Sequence, residues 1–162
     1  PEGKTWKQIF ADEVRSEISD ADWQRVHFLG RVPYEVFLSV WQVSRVHVYL
    51  TYPFVLSWSL IEAMSAECAI VASDTAPVKE VIKNGKTGVL ADFFDTKALV
   101  RRIVSLLMDE NRRAKLGAAV RAFAVKNYDL QSRCLPAQLK WVDKLAKLPI
   151  KTCLVREITI SD

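Results

Sequence analysis

Short apolar segments and segments with helical spacing alternate through the middle of the chain, and this alternation restricts the possible folds most. The segment "CAIVASD", residues 68–74, is apolar without a period of two, which is typical of a parallel strand covered on both faces. Further strand candidates are "RVHFLG" at 25–30, "RVHVYLT" at 45–51 and "GVLA" at 88–91. A segment with helical spacing follows each one. The pattern therefore predicts an α/β fold, with a Rossmann-like parallel sheet of four strands sandwiched by helices.

The helical segments define the loops of this fold. Helices are predicted over residues 5–17, from Pro33 to Ser44, from Ser57 or Ser59 to Ala66, around Val78–Ile82, after the N-cap candidates Asp95 and Asp109, and over 130–145, with Pro136 near its start or at a kink. Ligands of open parallel sheets bind where strands end and loops enter helices. Three such loops are therefore candidate sites: "GRVPY", "TYPFVLSWS" and "SDTAPVKE".

The composition fits a single globular domain, since 50% of the 162 residues are hydrophobic and 26% are charged. We assign residues 1–148 to this domain and 149–162 to a tail. No apolar run reaches the roughly 18 residues of a membrane span, and no signal segment is evident, so a cytoplasmic protein is expected. The three cysteines are too far apart for a disulfide framework or paired zinc ligands, and we expect them to be reduced.

Charge is distributed unevenly along the chain. Residues 1–94 hold nine Lys and Arg against twelve Asp and Glu, whereas residues 95–162 hold fourteen against seven. A solvated face of the last helices explains this basic excess. The alternative is attraction to an anionic membrane surface or to an acidic partner. Nucleic acid is not an expected partner, because no basic run is interleaved with aromatic residues.

The loop "TYPFVLSWS" has the most informative chemistry. It leads from a parallel strand into a helix, whose N-terminal N–H groups and dipole favour a phosphate. Neither a Gly-rich dinucleotide fingerprint nor a Walker sequence is present, which argues against a simple NAD or ATP module. Glu62 would lie about one turn inside the helix, where its carboxylate can accept hydrogen bonds from a ribose. However, Ser59 and Glu62 also have the S-x-x-E spacing of a capping box, and this role stays open.

The segment "LIEAMSAECAIVASDTAPVKEVI", followed by Gly85, Gly88 and "GVLAD", resembles the C-terminal, donor-binding domain of group 1 retaining glycosyltransferases, which have the GT-B fold. The resemblance runs from Arg25 to Asp95 and continues more loosely to Leu145. It implies transfer of a sugar from a nucleoside diphosphate sugar of UDP, GDP or ADP to an acceptor hydroxyl, in the synthesis of glycans or lipid-linked saccharides. It also implies that no metal or other cofactor is needed.

The resemblance implies roles for individual residues. Those matched to donor binding are Glu62 at the ribose, the amides of Leu56, Ser57 and Trp58 at the diphosphate, and Gly30, Arg31 and Val32 at the base. Gly30 is almost as well explained as a turn residue.

Further candidates in the loops are Pro53, Ser59, Asp74, Thr75 and Glu80, although capping and turn formation also account for Asp74. Gly85 and Gly88 match the family as well, and we interpret them as structural.

One position departs from the family. A Glu is expected eight residues before Glu62, where it would contact the donor sugar, and that position is Phe54. A phenyl ring cannot accept a conventional hydrogen bond. Either the backbone from Pro53 through Ser57 holds the sugar, or this protein handles its donor differently. The catalytic residue is therefore not identified.

Two parts of the family's machinery are expected to lie before the first residue of this sequence. They are a first strand with a loop whose Arg and Lys clamp the diphosphate, and a whole N-terminal acceptor domain. We therefore expect these 162 residues alone not to catalyse transfer. Family members often act on glycans at the cytoplasmic face of a membrane, so peripheral attachment through the basic helices is a further hypothesis.

Two other functions remain as alternatives. The first is a non-catalytic nucleotide-binding or interaction module, motivated by Phe54, and the second is a nucleotide-sugar epimerase. No metal-ligand spacing is present. His27 and His47 both lie in predicted strands, so we expect them to be structural.

Overall fold

A computed structural model of the chain describes residues 3–52 and 54–148. The chain divides into two compact units, with the boundary between Phe37 and Leu38. Pro53 and the predicted tail, residues 149–162, lie outside the described residues.

The first unit is helical. Helix α1 (Trp6–Arg15) begins with a capping box, in which the Thr5 hydroxyl accepts the Gln8 N–H at 3.3 Å and the Gln8 side chain accepts the Thr5 N–H at 2.8 Å. This confirms the helix predicted over residues 5–17. A short helix α2 (Asp20–Trp23) follows Ser19. Helix α3 (Tyr34–Val43) begins one residue after the predicted start at Pro33, and the boundary between the two units falls within it.

The strand predicted over residues 25–30 is wrong, and His27 therefore does not lie in a strand. A strand exists only where a neighbouring strand takes up its backbone hydrogen bonds, and no strand in the described part of the chain pairs with this segment. Its apolar side chains make local contacts instead. Phe28 packs against Trp23 with ring centroids 6.3 Å apart, and the Lys7 ammonium lies 4.3 Å from the centre of the same ring.

The second unit contains the sheet, whose strands are β1 (His47–Tyr49), β2 (Ile70–Ser73) and β3 (Val89–Ala91). They are parallel in the order β1-β2-β3, with His47 opposite Ile70 and Val71 opposite Val89. The predicted α/β fold with a parallel sheet is confirmed, with three strands among the described residues instead of four. All four residues of β2 are buried, so both faces of the central strand are covered, as its unalternating sequence predicts.

Two helices connect the three strands and three more follow β3, near the predicted positions. They are α4 (Trp58–Ser65), α5 (Ala76–Val81), α6 (Thr96–Met108), α7 (Glu110–Tyr128) and α8 (Leu135–Ala146). The N-caps Asp95 and Asp109 are confirmed, since each carboxylate accepts a backbone N–H of the first turn, at 2.8 and 2.9 Å. A π-helical turn (Leu130–Cys134) precedes α8, and Pro136 lies in the first turn of α8, where its missing N–H matters least.

The core lies between the central strand and the long helices. One buried cluster joins Val71 of β2, Val89 of β3 and Ala69, which directly precedes β2, to Leu106 of α6 and Leu116 of α7. Helix α7 also packs against α4, and Gly117 permits this close approach. A Cβ atom on Gly117 would lie 2.4 Å from the carbonyl oxygen of Glu67, just beyond the end of α4. The ends of β1 and β2 and the start of α4 are thus fixed on a packed support.

Candidate functional site

The turn into α4 is formed at the carboxyl end of β1, where a parallel sheet binds its ligands. Ser57 is the N-cap, with φ −78° and ψ 143°, and its hydroxyl accepts the Ser59 N–H at 3.3 Å. The two serine hydroxyls also lie 2.9 Å apart. The predicted capping box of Ser59 and Glu62 is therefore wrong, because Ser59 is already the second residue of the helix and the cap belongs to Ser57.

Glu62 lies one turn inside α4, as predicted. It is the fifth residue of the helix and is half-buried. Its neighbours Leu60, Ala63 and Met64 are completely buried, so the helix face beside it is held against the core. The carboxylate thus stands at the border between the packed face and the exposed first turn.

Tyr49 supports the turn in a way that sequence reasoning missed. Its hydroxyl accepts the Ser57 N–H at 3.1 Å, which links the last residue of β1 to the N-cap of α4. A phenol that accepts one hydrogen bond still has its own O–H to donate. The resemblance matches three amides to the diphosphate. One of them, the Ser57 N–H, thus already donates to the Tyr49 hydroxyl, which itself lies at the turn. Nothing in the alternation of the strand distinguishes Tyr49 from an ordinary strand residue.

The third loop, "SDTAPVKE", is tied to the second, "TYPFVLSWS", by a buried serine. The Ser73 hydroxyl accepts the Thr51 N–H at 3.0 Å and donates to the Thr51 carbonyl at 2.8 Å. Ser73 is completely buried, and these two bonds hold the ends of β1 and β2 together. The candidates Asp74, Thr75 and Glu80 follow immediately. Ser73 was missed because a serine at the end of a strand has no distinguishing sequence signal.

The candidates of the third loop have separate environments. Asp74 forms an exposed ion pair with Lys79 at 2.8 Å, and its backbone N–H donates to Ala91. Thr75 is the N-cap of α5 but makes no side-chain capping bond, and its buried hydroxyl has no hydrogen-bond partner in the described part of the chain. Glu80 is exposed on α5. The structure thus brings the two loops together through Thr51 and Ser73.

Aromatic side chains dominate the exposed surface of the second loop, "TYPFVLSWS". Phe54 and Val55 are each 71% exposed, and Trp58 is 82% exposed. Tyr52 contacts Phe93 and Phe94 beyond the end of β3, with ring centroids 5.6 and 5.3 Å apart. The position where the family's first Glu is expected therefore carries an apolar ring in solvent.

The predicted base-contacting residues belong to the first unit. Gly30 has a positive φ of 66°, so it is a turn residue in the left-handed region. Arg31 is exposed and Val32 is half-buried. Gly85 also has a positive φ of 74°, and a Cβ on Gly88 would lie 3.2 Å from the Ile70 carbonyl oxygen, which confirms the structural interpretation of both glycines.

Two titratable groups of the second unit are shifted by burial. Burial lowers the pKa of His47, whose ring lies edge-on to Trp41 at 6.1 Å. Burial also raises the pKa of the Cys68 thiol to about 11. Neither group lies in the loops, which fits structural roles. Cys68 and Cys134 are free thiols, and Cys153 lies outside the described residues. Within residues 3–52 and 54–148, no helix is both long and apolar enough to cross a membrane.

A family model described as glycosyl transferases group 1 matches residues 12–123. This match covers both loops at the sheet edge and α4 between them. The chain therefore belongs to the group 1 glycosyltransferases.

Individual relatives agree with this assignment. An uncharacterized glycosyltransferase of Methanocaldococcus jannaschii is 29% identical over 105 residues, which cover 64% of this chain and 27% of that protein. The lipopolysaccharide core biosynthesis mannosyltransferase LpcC of Rhizobium leguminosarum bv. viciae is 32% identical over 103 residues, covering 62% of this chain and 28% of that protein. The matched region thus spans about a quarter of each curated relative.

Solved structures share the fold at low sequence identity. The crystal structure of the C-terminal domain of a group 1 glycosyltransferase (LpcC) from Francisella tularensis has a TM-score of 0.69 at 18% identity, covering 78% of this chain and 64% of that one. Anabaena Alr3699/HepE in complex with UDP-glucose has a TM-score of 0.71 at 18% identity, covering 88% of this chain and 36% of that one. The chain has the fold of the C-terminal half of a GT-B glycosyltransferase.

Proposed function

We propose that this chain is the donor-binding part of an enzyme that transfers a sugar from a nucleoside diphosphate sugar to an acceptor hydroxyl, with retention of configuration. One observation carries the proposal. In a member of the group 1 glycosyltransferases, α4 starts at an exposed turn directly after a parallel strand, and Glu62 lies one turn further along. A diphosphate at the turn and a ribose beside Glu62 fit this spacing.

The turn supplies the electrostatics that the reaction needs. When the bond between the sugar and the diphosphate breaks, negative charge develops on the leaving phosphate. Fixed N–H dipoles at the start of α4 stabilise that charge without reorganising. The Tyr49 hydroxyl, already held by the Ser57 N–H at 3.1 Å, adds a donor beside them. We propose that this arrangement replaces a bound metal ion, so that transfer continues in the presence of EDTA.

Glu62 is proposed to bind the ribose hydroxyls. Its carboxylate oxygens accept hydrogen bonds, and its half-buried position on a helix packed against the core restricts its movement. The relative with bound UDP-glucose supports a nucleotide sugar as the ligand class, and the mannosyltransferase relative supports transfer as the reaction.

The experiment that tests this function is a transfer assay on the full-length protein with its donor and acceptor. Glu62→Gln keeps the shape of the side chain and removes its charge, and we expect transfer to fall by roughly 10- to 100-fold, the loss of a charged hydrogen bond. The matched control is Glu13→Gln, an exposed residue of α1, which should leave transfer unchanged. Equal rates for wild type and Glu62→Gln would contradict the proposal.

The chain alone is proposed to be inactive, because it spans about a quarter of its curated relatives. A partner domain that binds the acceptor would complete the enzyme. The measurement is product formation by residues 1–162 with donor and acceptor supplied. Clear turnover by this chain would refute the proposed division of labour.

Phe54 favours a second candidate function, a nucleotide-binding module without catalysis. Its ring is 71% exposed at the position where the resemblance implies a Glu that contacts the donor sugar. A module of this kind would bind nucleoside diphosphates but form no product, and Glu62→Gln would change binding alone. The transfer assay on the full-length protein therefore separates the two functions.

Peripheral attachment to an anionic membrane is a further proposal, with localisation at its cytoplasmic face. The basic excess of residues 95–162 supports it, since each well-placed cation contributes about 1 kcal/mol to binding at such a surface. Cosedimentation of the full-length protein with anionic but not neutral vesicles, lost at high salt, is the expected result. Equal binding to both kinds of vesicle would contradict it.

A further inference from the structure

Three arginines line one cavity away from the loops of the candidate site. The cavity has a volume of about 280 Å³ and is lined by Val89, Ala98, Arg101, Arg102, Ser105 and Arg112. This volume is near the lower limit of roughly 300 Å³ for pockets that bind small molecules. None of these residues belongs to the turn before α4 or to the loop after β2.

The spacing of small residues and arginines along α6 creates this cavity. On α6, the four lining residues follow the pattern i, i+3, i+4, i+7, which places them along one stripe of the helix. Leu99, Ile103 and Leu106 form the other stripe and pack in the core. Arg101 and Arg102 lie between Ala98 and Ser105 in the sequence. Because Ala98 and Ser105 are small, they leave open space on either side of the two guanidinium groups.

The third arginine comes from the next helix. Arg112 lies in the first turn of α7, and its guanidinium donates to the Ser105 hydroxyl at 3.3 Å. This bond holds the side chain across the cavity toward α6. Two helices thus contribute positive charge to one cavity, and none of the described residues that line it is acidic.

Other arginines of the same region donate hydrogen bonds to backbone carbonyl oxygens. Arg113 donates to the carbonyl oxygens of Leu106 and Leu107 at the end of α6, and Arg121 donates to that of Ser65. These side chains are bound to the protein itself. In the part of the chain that the structure describes, by contrast, Arg101 and Arg102 make no hydrogen bond, and none of the three cavity arginines lies within ion-pair distance of a carboxylate.

We propose that this cavity is a binding site for an anion that carries a phosphate group. Guanidinium groups bind phosphate through paired N–H donors, and their fixed fork matches its oxygens. Three like charges repel one another until an anion neutralises them. The phosphate could belong to a soluble molecule or to the headgroup of an anionic lipid, and the experiment separates these sources. The proposal does not depend on the donor site.

The test is a calorimetric titration of the full-length protein with pyrophosphate. The buffer has a constant ionic strength and contains chloride as a competing anion. Saturable binding is expected for wild type. Arg102→Gln and Arg112→Gln should each weaken it roughly tenfold or more, and Arg102→Lys should weaken it less, because the charge remains and the paired donors are lost. Arg133→Gln is the matched control, an exposed arginine of the π-helical turn outside the cavity, and it should leave the affinity unchanged.

A second variant identifies where pyrophosphate binds. Ser57→Pro removes the N–H that donates to the Tyr49 hydroxyl and so disturbs the turn before α4, while the φ of Ser57, −78°, already suits proline. Cavity binding should persist in this variant. No saturable binding in wild type, equal affinity in the arginine variants, or binding lost through Ser57→Pro alone would each overturn the proposal.

Vesicle flotation distinguishes the source of the phosphate. If the ligand is a lipid headgroup, flotation of the protein with phosphatidylcholine vesicles that contain phosphatidic acid should be reduced by pyrophosphate and by Arg102→Gln, but not by the control Arg133→Gln. If the ligand is soluble, pyrophosphate should bind as above, and Arg102→Gln should not change any flotation that wild type shows. Flotation that is identical for wild type and the arginine variants would contradict a lipid ligand in the cavity.

Discussion

The two ends of α4 differ, although they belong to one eight-residue helix. At its start, Ser57 and Trp58 are exposed. The Ser57 hydroxyl caps the helix by accepting the Ser59 N–H, and the Ser57 N–H donates to the Tyr49 hydroxyl. Beyond its end, Glu67 has a positive φ of 65°, and its carbonyl oxygen lies where a Cβ on Gly117 would have to fit.

In the proposed function, this difference separates a binding surface at the start of the helix from a structural support at its end. Exposed polar groups and rings at the start cost little stability to keep and are accessible to a ligand. The close packing at the other end fixes the direction of the helix, and hence the position of its first turn and of Glu62. Substitutions at the packed end should therefore reduce stability, whereas those at the open end should change binding.

The largest effect is expected at Gly117. In most helices Gly→Ala is stabilising, but here the new Cβ would lie 2.4 Å from the Glu67 carbonyl oxygen. Gly117→Ala is expected to lower the free energy of unfolding by roughly 2–3 kcal/mol, as overpacking does. Urea unfolding measures this change. Ala118→Leu, at the exposed neighbouring position, is the control and should change little. A stabilised Gly117→Ala protein would show that the two helices are not closely packed.

A smaller effect is expected at the open end, from the N-cap. Ser57→Ala removes the hydroxyl that accepts the Ser59 N–H, and a loss of about 1 kcal/mol in the free energy of unfolding is expected. Ser57→Gly should cost only a few tenths of that amount, since glycine leaves the N–H groups accessible to water. Equal losses in the two variants would show that the hydroxyl does not act as a cap.

Glu67→Gly should have the opposite sign. A residue other than glycine in the left-handed region is strained, and glycine relieves the strain at the cost of a more flexible unfolded chain. A net gain of about 0.5–1 kcal/mol in the free energy of unfolding is expected from urea unfolding. Ala66→Gly is the control, because its φ of −79° needs no glycine, and it should lose stability. If Glu67→Gly lowered the free energy of unfolding instead, the prediction would be wrong, and the Glu67 side chain would make a stabilising contact that outweighs the strain.

The smallest effect on stability is expected at Phe54. Its ring is 71% exposed, so Phe54→Ala should change the free energy of unfolding by less than about 0.5 kcal/mol. Phe54→Glu should be equally neutral by the same measurement. If either substitution cost several kcal/mol, the loop would be part of the core, and the distinction between the two ends of α4 would fail.

Most of the fold could be predicted because its signals are local. The apolar run of β2, the N-caps Asp95 and Asp109 and the position of Pro136 each have a physical cause within a few residues. The strand predicted at residues 25–30 was wrong because strand formation depends on a distant partner, which a single segment does not encode.

The site was only partly predictable for the same reason. The position of Glu62 follows from helical spacing. The capping box failed because two serines compete for the cap, and the backbone conformation of Ser57 decides between them. The bonds from Tyr49 to Ser57 and from Ser73 to Thr51 join residues 8 and 22 positions apart, so no local pattern reveals them.

The most direct measurement for the central claim is nucleotide binding at the open end of α4. Thermal unfolding of the full-length protein would be followed with UDP, GDP and ADP, since a ligand stabilises the folded state by about 2.7 kcal/mol at 100 times its Kd. We predict that one of these nucleotides raises the Tm of wild type and that Glu62→Ala removes most of this shift. No shift with any of the three, or an undiminished shift in Glu62→Ala, would contradict a ribose-binding role for Glu62.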